Sequence, residues 1–118
     1  MYKAISCWSA PRPGTEEEFE QHYRKVHVPL ALRVPNTRRL TLTRTSDGLE
    51  AEPPAFYRVA EMFFSDRESL EAAMETPEWE ELRADTAGVI ERFGVSLVTG
   101  LGTPEEADEV LRPTSASA

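Results

Sequence analysis

Between Glu16 and Leu30 the apolar residues Phe19, Tyr23, Val26 and Leu30 recur at spacings of four, three and four, which aligns them as one stripe of a helix with a 3.6-residue period. Thr15 ahead of them and Glu18 three residues on have the form of a capping box and predict a helix start near Glu16. Pro29 lacks an amide hydrogen and pushes Val28 away from helical angles, so this helix is predicted to stop or bend at residues 27 to 28. A second capping pair, Ser65 with Glu68, starts a helix through Met74, and Thr76 with Pro77 restarts it. The inner stripe of the restarted helix is Trp79, Leu82, Thr86 and Val89 or Ile90.

Four segments, 2–9, 38–45, 56–64 and 93–100, read as strands. In the second, Leu40 and Leu42 alternate with Thr41 and Thr43, as two unlike sheet faces require. The third, FYRVAEMFF, is apolar on both faces and predicts an interior strand. PRPG after the first strand and SDGLEAEPPA after the second are turn and loop. Strand, helix, strand, taken twice, makes two split βαβ halves. The predicted fold class is therefore α+β, ferredoxin-like βαββαβ, a four-stranded antiparallel sheet with the helices on one face. Residues 1–100 form that domain, and residues 101–118 a tail holding one short helix before a loose end, TSASA. The sheet face away from the helices has no cover within the chain; a second copy is the simplest one, so a homodimer is expected.

Composition narrows the function. A chain of 118 residues with 40% hydrophobic and 29% charged residues is one globular domain. Its net charge of -8 repels polyanions, and the small cluster Arg33, Arg38 and Arg39 does not offset it, so no nucleic-acid partner is expected. No apolar run approaches the length of a membrane span, and MYKAISCWSA does not read as a signal peptide; a cytoplasmic protein without membrane contact is expected. The single cysteine, Cys7, excludes an internal disulfide and a thiolate zinc site, and reads as core. His22 and His27 lie five apart, about 140° beyond one helical circuit, and so do not share a face of an α-helix. With no glycine-rich phosphate loop and no nucleophile elbow, neither a metal nor a nucleotide cofactor is indicated.

Tyr23, then His27-Val28-Pro29-Leu30, then Pro35, and later VAEMFF running into Ser65-Asp66 and a Glu/Ala-rich helix, together resemble the EthD family of the dimeric α+β barrel superfamily over residues 2 to 100. The resemblance implies two sheets closing into a barrel across a dimer, with a pocket between sheet and helices in each subunit. It also implies activities on lactones, polyketides and phenolic rings, as isomerases, cyclases, dehydratases or cofactor-free oxygenases; some members have no demonstrated chemistry.

His27 sits one residue from the inner stripe, about 40° round the helix from Tyr23, and an imidazole changes charge near neutral pH, which suits a general acid or base. The alternative is a helix-end histidine bonding free carbonyls. Tyr23, one turn before it, either holds a substrate oxygen or is an amphipathic core tyrosine. Glu61, in mid-strand among apolar residues, either orients His27 or pairs with Arg44 or Arg58. Asp85 reaches the pocket from the second helix or lies on a solvated face, and His22 reads as a surface or edge residue. Trp8, Phe19, Tyr57, Phe63, Trp79 and Phe93 are available as walls for an apolar, oxygenated ring. Three functions are compatible with these residues: a cofactor-independent acid–base enzyme using His27, Tyr23 and Glu61, a non-catalytic dimeric binding or accessory protein, and a cofactor-free oxygenase.

Overall fold

The computed structural model describes residues 1–111, so the predicted loose end TSASA lies outside the described residues. Strands β1 (Tyr2–Trp8), β2 (Arg39–Arg44), β3 (Arg58–Phe64) and β4 (Leu97–Gly102) form one sheet in the order β2-β3-β1-β4. Every neighbouring pair is antiparallel. The ferredoxin-like α+β fold is present, and the strand read as interior, β3, lies between β2 and β1.

Register assigns the two faces. Trp8 pairs with Arg58 and Leu97, and Ala4 with Met62 and Leu101, so these side chains share the face covered by the helices, where Ala4, Trp8, Arg58, Met62 and Phe64 are buried. The alternate positions Lys3, Ile5, Cys7, Val59, Glu61, Phe63 and Val98 point to the other face.

The helices depart from expectation at their starts. Thr15 does not cap α1 (Glu16–His22); its hydroxyl donates to the Arg12 carbonyl at 2.6 Å, and its backbone is not in the extended cap conformation. Helix α3 (Arg67–Ala73) is capped by Asp66 rather than Ser65, with Asp66 Oδ1 accepting from the Ser69 amide at 2.8 Å. A carboxylate at that place also faces the positive end of the helix dipole. Thr76 caps α4 (Pro77–Phe93) as expected. Phe93, read as opening a strand, is instead the last residue of α4: Gly94 comes next in the left-handed region, φ 66°, and closes the helix. The tail carries α5 (Ala107–Leu111).

The largest departure concerns Pro29, which does not end the first helix. Residues Tyr23–His27 form a π-turn, in which the Val28 amide donates to the Tyr23 carbonyl five residues back, and helix resumes as α2 (Val28–Leu32). A proline ring crowds the carbonyl four residues before it; the wider turn absorbs that conflict. The turn also rotates the helical residues beyond it. The buried face is Phe19, Tyr23, His27 and Ala31, steps of four that would drift by about 120° in an unbroken α-helix. Val26, assigned inward by the regular period, is 40% exposed, and His27, assigned beside the stripe, is 8% exposed.

Candidate functional site

Two apolar clusters fill the space between sheet and helices. One gathers Ala4, Ala31, Met62, Phe64, Leu70 and Leu82; the other gathers Trp8, Phe19, Tyr23, Val89, Phe93 and Val95. A cavity of about 470 Å³ lies between them, walled by Ala4, Ala31, Met62 and Leu82 from one and Trp8 and Tyr23 from the other. Its size and mostly apolar walls suit a small organic ligand. The polar groups on its wall are Ser6, Tyr23, His27, Arg83, Thr86 and Thr99.

His27 is fixed from behind. Its Nδ1–H donates to Asp85 Oδ2 at 2.9 Å, and the Nε2–H of His22 donates to Asp85 Oδ1 at 2.8 Å. A carboxylate accepts only, so this contact assigns the proton of His27 to Nδ1 and leaves Nε2 as the nitrogen available to the cavity. Burial holds the His27 pKa below the usual histidine value even though the Asp85 contact pulls the other way. The ring is therefore neutral near pH 7, with a lone pair on Nε2. The reading that the two histidines do not share a face is corrected here: the five-residue π-turn brings both imidazoles to one carboxylate.

Tyr23 stacks on His27 (5.7 Å, 14°) and on Phe19 (5.7 Å, 15°), and Trp8 meets all three rings edge-on, closest to His27 at 5.3 Å. Such contacts lock ring orientation as well as adding to the core. Tyr23 is 2% exposed and its hydroxyl has no hydrogen-bond partner among the described residues. Burial pushes its pKa up to about 12, so the hydroxyl keeps its proton and remains a donor without an acceptor. An orphaned buried donor on a cavity wall is a place where a ligand oxygen fits.

The Arg58 guanidinium lies 4.8 Å from the centre of the Tyr23 ring and is paired with Glu20. Glu20 also accepts from the Tyr57 hydroxyl at 3.0 Å and lies 3.6 and 4.0 Å from Arg24 and Arg44. Burial raises the Glu20 pKa, but the Arg58 hydrogen bond and charge outweigh it and hold the carboxyl below its ordinary range. This network places a paired guanidinium over the Tyr23 ring. Its sequence signal is Arg58 on the inward register of an interior strand, which demands an acidic partner.

The other candidate residues separate by register. Trp8 and Trp79 line the cavity. Phe19 and Phe93 are core beneath it, and Tyr57 is engaged with Glu20. Asp85 stands behind His27 rather than on the cavity wall. Glu61 neither orients His27 nor pairs with Arg44 or Arg58: it points to the opposite sheet face and accepts from Lys3 Nζ at 2.7 Å. Phe63 shares that face, under Lys3 and Arg39 at 5.2 and 5.3 Å. Cys7 is there too, half-buried rather than in the core. Arg83, on the cavity wall, is a residue that the sequence pattern does not single out. Among the described residues no group of His, Cys, Asp and Glu is arranged to hold a metal ion, and no helix is long and apolar enough to cross a membrane.

The model of the EthD domain matches residues 12–92. The chain is 32% identical over 106 residues to an uncharacterized 11.0 kDa protein from the thcB-thcC intergenic region of Rhodococcus erythropolis, covering 90% of this chain and 96% of that one. Among solved structures it is similar to an EthD family protein of Bacillus halodurans, with 30% identity, TM-score 0.68, and 90% and 98% of the two chains covered. It is also similar in fold to SnoaB of Streptomyces nogalater, a cofactor-independent oxygenase, with 20% identity, TM-score 0.58, and 90% and 95% covered.

Proposed function

The chain belongs to the EthD family, and from that premise and the geometry of its cavity we propose that it is a small acid–base enzyme acting on a carbonyl compound, with His27 as general base and Tyr23 as hydrogen-bond donor. One observation carries the reading: a neutral imidazole clamped through Nδ1 by Asp85 stacks on a buried tyrosine whose hydroxyl has no partner among the described residues, and both face one apolar cavity.

In this mechanism Nε2 of His27 takes a proton from the carbon next to a carbonyl, and the electron pair of the broken C–H bond moves onto the carbonyl oxygen. The Tyr23 hydroxyl donates to that oxygen as its negative charge grows, and Asp85 offsets the positive charge arriving on the imidazole. Return of the proton to another carbon completes an isomerisation. In a dehydration that proton goes instead to a departing β-hydroxyl, which leaves as water while the C=C bond forms, and in a cyclisation the enolate carbon attacks a second carbonyl and the proton goes to the resulting alkoxide. Lactones, phenolic ketones and polyketide-like chains all carry the acidic C–H that the base needs.

The chain would work as a homodimer, covering the outer sheet face where Ile5 is 36% and Val98 57% exposed; sedimentation at twice 13.3 kDa tests that, and a monomer at micromolar concentration speaks against it.

The experiment for the activity is deuterium exchange in D2O at the α-carbon of a panel of lactones and phenolic ketones, followed by proton NMR. The wild-type protein should speed exchange of at least one compound. His27→Gln should lower that rate by about 10²- to 10⁴-fold, the usual contribution of a general base. Exchange no faster than in buffer sinks the mechanism and favours a non-catalytic binding role, and accelerated exchange undiminished in the variant removes His27 as the base.

A further inference from the structure

The cavity has a charge pattern that the acid–base reading leaves unused. The chain has 21 Asp and Glu against 13 Lys and Arg, yet among the described residues no Asp or Glu lines the cavity, and the one arginine on its wall is Arg83. Every buried or half-buried carboxylate near the site is occupied elsewhere: Asp85 with His22 and His27, Glu20 with Arg58 and Tyr57. Arg83, by contrast, has no ion pair or hydrogen bond among the described residues. It lies on α4, exposed at its solvent side while contributing to the cavity wall, so it stands where the cavity meets water.

We propose that the cavity binds an amphipathic monoanion, its carboxylate or enolate oxygens on the guanidinium of Arg83 at the mouth and its apolar body between the two core clusters. An unpaired guanidinium presents a fork of donors that matches a carboxylate, and beside low-dielectric walls the pair is stronger than on an open surface. The rest of the wall suits the remainder of such a ligand, with Leu40, Leu82, Leu101 and Trp79 offering apolar contact and the Tyr23 hydroxyl waiting for an oxygen. The arrangement also selects against alternatives. A cationic ligand would meet Arg83 at the mouth with no carboxylate on the wall to receive it. A neutral ligand would gain the apolar contact and at most an ordinary hydrogen bond, without charge assistance, from the guanidinium.

This deepens the reading of the cavity as a substrate site, and its test does not pass through turnover. Trp8 and Trp79, the two tryptophans of the chain, both line the cavity, so their fluorescence reports binding directly. The probes are 4-phenylbutanoate and 4-phenylbutanamide, which share size and shape and differ in charge. The acid should bind about tenfold more tightly than the amide, the scale of one charged hydrogen-bonded contact. Arg83→Gln should erase that preference, and Arg83→Lys should keep part of it. Equal affinities, a preference that survives Arg83→Gln, or no binding of the acid at millimolar concentration overturns the proposal. His27→Gln separates the two readings: it should lower α-carbon exchange by about 10²- to 10⁴-fold while retaining the acid preference. Exchange that depends on His27 without any acid preference would remove the anion class and leave the acid–base mechanism standing.

Discussion

Nδ1 of His27 lies 2.9 Å from Oδ2 of Asp85, and that hydrogen bond turns a buried imidazole into a base with a defined direction. Asp85→Asn tests it. An amide can donate where a carboxylate cannot, so the variant admits the other tautomer, with the proton on Nε2 and no lone pair toward the cavity. Exchange activity should fall on the order of 10- to 100-fold, the usual effect of losing such a supporting contact. Nitrogen-15 shifts of the His27 ring should show the tautomer change. A wild-type tautomer combined with wild-type rate would mean that Asp85 does not orient the ring.

The lowered His27 pKa gives both activity and stability a pH signature. A base must be unprotonated, so activity should rise with pH through the depressed value and already exceed half of its plateau at pH 6.5, the ordinary histidine value. For stability, the unfolded chain takes up its proton more readily than the folded one. The contribution of neutral His27 is thus complete above about pH 6.5 and lost as pH falls through the lower folded value. Urea unfolding between pH 7.5 and 5 should show this decline, and His27→Gln should flatten it. An unchanged slope in the variant would place the sensitivity elsewhere.

Arg58 and Glu20 make a second test, of support rather than chemistry. Arg58 is buried and Glu20 is nearly so. Glu20→Gln strands a guanidinium under the Tyr23 ring and should cost about 3 to 5 kcal/mol, because removing one partner leaves the other charge uncompensated. Adding Arg58→Met should recover much of that loss. If the double variant is no more stable than Glu20→Gln in chemical denaturation, the cost lies in lost packing instead.

The four strands and the α+β class are legible in the sequence because period-two patterns and turn residues are local signals, whereas the face that each strand turns to the helices is not. Trp79, Leu82 and Thr86 fall correctly on α4 for the same kind of reason, regular spacing in an unbroken helix. The site is legible only in part. His27 and Tyr23 stand out, but Asp85 reads as one of two options, and Glu61 draws attention from the middle of a strand whose odd register faces away from the helices. Strand alternation counted from Trp8 through its pairing with Arg58 assigns Glu61 to the outer face, but that pairing is a tertiary fact. The π-turn is hidden more deeply. Its local cue, Pro29, signals a helix end or bend equally well, and only the packing of Tyr23, His27 and Ala31 against the sheet selects the wider turn.

That wider turn is itself open to test, since it contains one more residue than an α-helix needs to carry Tyr23, His27 and Ala31 inward. Lys25 is exposed within it. Deleting Lys25 shortens the Tyr23-to-His27 step from four residues to three, and three and four alternate naturally on one face of an α-helix. The shortened helix should fold and keep its helical circular dichroism, with little loss in Tm, because no buried side chain is removed. Its imidazole, however, would leave the α-carbon site: with α-helical spacing it loses the geometry by which His22 and His27 meet at Asp85. The NMR titration of that histidine should move further down, because the Asp85 contact that raises it is lost while burial remains, and exchange activity should drop by at least tenfold, since an error of about 1 Å at a reacting centre costs that much or more. A deletion variant that folds, titrates like the parent and retains full activity would show that the π-turn is a consequence of Pro29 alone and not the device that aims the base.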